Sequence, residues 1–153
     1  MGTRSRIGVM HGDVVKSVYC HWDGYLEHNG QILLEHYDSA KANNLVAQGD
    51  LSSLGSVIGE KHPFSQFDVP EAERVNYDNW CKFYGRDRGE TGTEWKVAHT
   101  FKEFFDQCEG CAAEYYYIMK DGVWYVGTTY SSGALAGKLV PLAEALAAEA
   151  AAA

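Results

Sequence analysis

Period-two alternation marks the start of the chain. Along residues 14–20, Val15, Ser17 and Tyr19 fall on one side, and Val14, Lys16, Val18 and Cys20 on the other, as in a strand. A β-rich run, Arg6 to Met10, precedes it across Gly12-Asp13, and the two together read as a hairpin. Helical spacing takes over from Gly30 to about Gln48. Ile32, Leu33 and Tyr37 share a face there, and Leu45 and Val46 extend it past a break at Asp38-Ser39. Ser39 is the expected N-cap of the second helix. Gly49 reads as a C-cap, followed by a turn or short helix over 50–55.

Residues 60–79 are polar, carry Pro63 and Pro70 and lack periodicity, which predicts a long surface excursion. A third strand is expected over 80–84. A helix is expected over 100–107, where Thr100 and Glu103 make a capping-box pattern. Phe101, Phe104 and Phe105 supply its buried face. Asp121-Gly122 between two aromatic, β-rich runs is the clearest hairpin signal in the chain. The segment after Pro141 is a helix former. The predicted architecture is α+β. One domain over residues 1–140 holds a mostly antiparallel sheet with helices packed on one face. A C-terminal helix with a disordered alanine tail follows over 141–153.

At 153 residues the chain suits one domain with a real core. No apolar run approaches the roughly 20 residues of a membrane helix, and the basic start leads into no signal-like stretch. No membrane partner is expected. Net charge is −8, which disfavours general binding to duplex DNA. Cys20, Cys81, Cys108 and Cys111 are expected to be reduced thiols in a cytosolic setting. Cys108-Glu109-Gly110-Cys111 lacks the second pair that a structural zinc site wants. His11, His21, His28 and His36 fall in the N-terminal quarter without recognised ligand spacing. No metal or cofactor is therefore expected.

The chemistry concentrates in two runs. Tyr19-Cys20-His21-Trp22-Asp23-Gly24-Tyr25 packs rings, an imidazole and a carboxylate around a glycine. Tyr19, Trp22 and Tyr25 suit stacking on a base, with His21 and Asp23 alongside. Tyr84-Gly85-Arg86-Asp87-Arg88-Gly89-Glu90 puts two guanidiniums between glycines. If extended, that run aims Arg86 and Arg88 the same way, with Asp87 opposite, and each arginine suits a phosphate. Arg4 and Arg6 are weaker candidates for the same job. No nucleophile elbow or Gly-rich phosphate loop is present.

Thr3-Arg4-Ser5, Tyr19 to Tyr25, His28-Asn29-Gly30 and the stretches 49–55 and 84–90 resemble a group of small bacteriophage and mobile-element proteins. That resemblance implies a phage accessory protein in the host cytoplasm, acting against host defence. It fits a non-enzymatic, homo-oligomeric sponge that sequesters a small nucleotide signal through Tyr19, His21, Trp22, Asp23, Tyr25, Arg86 and Arg88. Two other readings remain: a protein–protein inhibitor of a host enzyme, with a host defence protein as its partner, or a small metal-dependent nucleotide hydrolase.

Overall fold

The computed structural model describes residues 2–152. Its strands are β1 (Ser5–His11), β2 (Val14–Cys20), β3 (Leu51–Ser53), β4 (Lys82–Phe83), β5 (Lys96–Ala98), β6 (Tyr115–Lys120), β7 (Val123–Thr128) and β8 (Val140–Pro141). Its α-helices are α1 (Gln31–His36), α2 (Ser39–Ala47), α3 (Arg74–Asn79), α4 (Tyr84–Arg88), α5 (Phe101–Gly110) and α6 (Leu142–Ala152). Among the described residues the strands form one eight-stranded mixed sheet, seven of them in the order β4-β3-β2-β1-β6-β7-β8 and the eighth, β5, paired to β2 off that path. No helix among them is long and apolar enough to cross a membrane.

Both expected hairpins are present. β1 and β2 pair antiparallel from Ser5↔Cys20 to His11↔Val14, with Gly12 at φ 62° in the turn. β6 and β7 close with Lys120↔Val123. Asp121 and Gly122 sit at φ 51° and 79°, the left-handed pair that a type I′ turn requires. The hairpins meet through a parallel pairing of β1 with β6. A second parallel contact joins β2 to β3 at Cys20↔Leu51, while β5 takes the other half of β2's outer edge. The α+β class therefore holds, with a sheet of mixed direction.

Alternation along the central strands makes two cores. Ile7, Val9, Val18, Cys20, Tyr117, Met119 and Val126 face α1, α2 and α6. Met10, Val15, Tyr116 and Ile118 face α5. Helices thus cover both faces, not the one face expected. The phenylalanines of α5 are the reason. Phe101, Phe104 and Phe105 all pack on the Tyr116 ring, at centroid distances of 5.7, 5.6 and 6.2 Å. That apolar stripe needs the sheet's second face.

Other local readings change. The N-cap of α2 is Asp38, not Ser39. Asp38 is extended, and its carboxylate accepts the Lys41 N–H at 2.8 Å. Leu51–Ser53 forms a strand rather than a turn or short helix, because β2 offers Leu51 an edge to pair with. The strand expected over 80–84 shrinks to Lys82–Phe83, and α4 begins at Tyr84.

Candidate functional site

Register builds the site at one end of the central strands. Ser5 pairs with Cys20 on one side and Tyr115 on the other. One step further out, the same register sets Arg4 between His21 and Glu114. The Glu114 N–H donates to the Arg4 carbonyl at 2.8 Å. These three side chains belong to the α5 face, because strand neighbours two residues apart share a face. The row beneath them is Tyr19, Arg6 and Tyr116.

A cleft of about 510 Å³ opens here, lined by Gly2, Arg4, His21, Trp22, Ala112 and Glu114. Its size falls in the range of small-molecule sites. Trp22 is 43% exposed, and its indole N–H makes no hydrogen bond among the described residues. The His21 ring meets it edge-on at 4.6 Å and 85°. A side chain on Gly2 would strike the indole's six-membered ring, so only glycine lets the backbone lie there.

The turn that carries Trp22 is fixed from several sides. Trp22 N–H donates to the Ser52 carbonyl at 3.0 Å, and Gly24 N–H to the Thr3 carbonyl at 2.7 Å. Tyr117 O–H donates to the Gly24 carbonyl at 2.6 Å inside the core. Asp23 takes the left-handed conformation at φ 56°. The ring is therefore presented on a braced turn.

Electrostatics in the cleft are uneven. Burial and the nearby Arg4 hold the His21 imidazole below its usual range. Burial raises the Tyr19 phenol, and Arg4 partly opposes that rise. The two neutral groups lie 2.7 Å apart, Tyr19 oxygen to His21 Nδ1. We assign Tyr19 as the donor, which puts the ring proton on Nε2. Below them Arg6 is 2% exposed. Its guanidinium donates to the Ser17 hydroxyl at 2.9 Å and the Ser17 carbonyl at 3.0 Å, and reaches Cys111 Sγ at 3.8 Å. Among the described residues no carboxylate lies within ion-pair distance of Arg4 or Arg6.

The structure brings together Tyr19, His21 and Trp22 of the expected set and leaves the others apart. Tyr25 stands beside His28, with ring centroids 6.2 Å apart, and is not a wall of the cleft. Asp23 contributes its turn conformation. The paired arginines require correction, since residues 84–88 are helical rather than extended. Arg86 binds Asp87 at 2.9 Å and donates to the carbonyls of Ile58, Gly59 and Cys81 at 3.0–3.1 Å. Its cationic head is committed to the fold. Arg88 lies over the Phe64 and Tyr84 rings and pairs with Glu90 at 2.6 Å. Neither lines the Trp22 cleft.

Sequence reasoning ranked Arg4 only as a weaker candidate and did not single out Glu114, yet both line the cleft. The available signal for Arg4 was its two-residue spacing from Arg6 on a strand. Glu114 had none, because its place depends on the β1–β6 pairing. No group of three or more His, Cys, Asp or Glu side chains among the described residues is arranged to hold a metal.

No family model, curated protein or solved structure matches the chain.

Proposed function

We propose that this protein is a non-enzymatic binder of a small nucleotide, with its site in the Trp22 cleft. The observation that carries the reading is a half-exposed indole on a braced turn beside an arginine that no carboxylate neutralises. A base stacks on Trp22, and a phosphate takes the Arg4 guanidinium as a two-pronged partner. The His21 Nε2–H adds a neutral donor. The resemblance to phage accessory proteins supplies the biological context: sequestration of a nucleotide signal of host defence, in the host cytoplasm, by a homo-oligomer.

Thermal denaturation with a panel of mono-, di- and cyclic nucleotides tests this reading. A ligand at 100 times its dissociation constant adds about 2.7 kcal/mol. For a chain of this size that is a rise of about 5–11 °C in Tm. No rise with any nucleotide at millimolar concentration refutes the proposal.

A second reading, inhibition of a host protein, has its own observation. Phe67 is 83% exposed on the 60–79 excursion, among the acidic Asp68, Glu71 and Glu73. An exposed ring with an acidic surround suits a partner with a basic-rimmed apolar pocket. Loss of a captured host protein on Phe67→Ala, with nucleotide binding absent, favours this reading.

A further inference from the structure

Arg4 and Glu114 are neighbours across paired strands and line one cleft, yet they form no ion pair. Opposite charges so placed ordinarily meet, with a modest gain. Here the carboxylate has another partner. Glu114 Oε1 accepts the Tyr130 O–H at 3.1 Å, on the β6–β7 side. Arg4 lines the cleft with no carboxylate partner among the described residues. The cleft therefore has a cationic wall and a carboxylate wall, and the indole lies at its edge.

A phosphate suits the first wall and is repelled by the second. The group facing Glu114 must donate. A carboxylate offers two parallel acceptor oxygens, and a bound Tyr130 hydroxyl still leaves lone pairs on both. Its best partner is a pair of adjacent N–H donors. Among the common bases only guanine has such a pair on its pairing edge, at N1–H and the N2 amino group. Adenine sets an acceptor nitrogen beside its amino group, so one carboxylate oxygen would face a lone pair.

We infer that the cleft selects guanine nucleotides: Trp22 stacks on the base, Glu114 reads N1–H and N2–H, and Arg4 holds the phosphate. This inference rests on the nucleotide reading above and names the ligand class for the same site.

Calorimetric titration of the full chain with guanosine, inosine and adenosine 5′-monophosphates tests it. Guanosine is expected to bind about 10-fold or more tightly than adenosine. Inosine, which keeps N1–H and lacks the amino group, falls between. Glu114→Gln is expected to bring the guanosine affinity down to the adenosine level and to leave adenosine within about twofold. Tyr130→Phe keeps the carboxylate and removes its tether, so the preference shrinks without vanishing. Equal binding of the three nucleotides, still lost in Trp22→Ala, overturns the guanine assignment and leaves the nucleotide reading standing. A guanosine preference that survives Glu114→Gln overturns it as well. Binding of none of them at millimolar concentration removes both.

Discussion

Asp87→Ala distinguishes a structural arginine from a ligand-binding one. The Asp87 side chain has no exposure, and that of Arg86 is 14% exposed. The carboxylate accepts from Phe83 N–H at 2.8 Å, His62 N–H at 3.2 Å, and Arg86 Nε and Nη2 at 2.9 and 3.2 Å. The His62 ring lies 3.5 Å away. Alanine removes all of these acceptors together. It also leaves a guanidinium whose remaining partners are carbonyls alone. Breaking a buried pair from one side costs about 3–5 kcal/mol. Alanine's better helix propensity returns only about 0.5 kcal/mol. The net loss corresponds to a fall in Tm of about 5–20 °C. Urea denaturation followed by tryptophan fluorescence measures it directly. In the double variant Arg86→Met/Asp87→Ala the loss is expected to fall well short of the sum of the singles, because no unpaired charge remains. A loss under about 1 kcal/mol for Asp87→Ala, with weakened ligand binding in Arg86→Ala, refutes the structural assignment and returns Arg86 to the site.

Trp22→Ala is expected to change Tm little, since the ring is half exposed, while weakening nucleotide binding about 5–150-fold by calorimetry. NMR titration of His21 is expected to give a midpoint below 6.5, and Arg4→Gln to move it upward. The sign for stability follows: between 6.5 and the depressed midpoint the unfolded chain binds the proton first, so this histidine's contribution is complete above 6.5 and is lost as pH falls. A midpoint at or above 6.5 contradicts the burial argument. Tyr117→Phe leaves the buried Gly24 carbonyl without its donor, for an expected loss of about 1–3 kcal/mol in urea denaturation. Phe104→Ala is expected to cost about 3–5 kcal/mol. A near-neutral result there would remove α5 from the second face of the sheet.

What the sequence showed was local. Gly12-Asp13 and Asp121-Gly122 identify their own turns, because left-handed backbone demands particular residues. Thr100 declares a helix start, and its hydroxyl accepts Glu103 N–H at 3.1 Å. The misreadings involve tertiary partners. Residues 84–88 look extended beside a strand-like run, but Asp87 reaches back to Phe83 N–H and turns them into a helix ended by Gly89 at φ 73°. That glycine was a legible C-cap signal. Leu51–Ser53 is a strand only because β2 and β4 flank it. Trp22, His21 and Tyr19 stood out as a candidate cluster because their chemistry is unusual for a turn, and the fold does set them side by side. Arg86 and Arg88 were misleading because guanidinium partners cannot be read from spacing.

Apolar registry in the core places the site. Ile7 pairs with Tyr117 and Val9 with Met119 across β1 and β6, all on the buried face shared with α1, α2 and α6. A slip of one residue between these strands would turn either set toward α5 and forfeit that burial, so the register is strongly held. The same slip would separate Arg4 from Glu114 across the sheet. The β1–β2 pairing fixes Arg4 against His21 in the same way, through Ile7↔Val18. Three polar residues with no shared local motif are thus aligned by apolar pairs a few residues further along their strands. It follows that core substitutions which loosen the β1–β6 pairing disturb the cleft before they unfold the domain, and that the proposed nucleotide, in bridging Arg4 and Glu114, would stabilise that pairing in return.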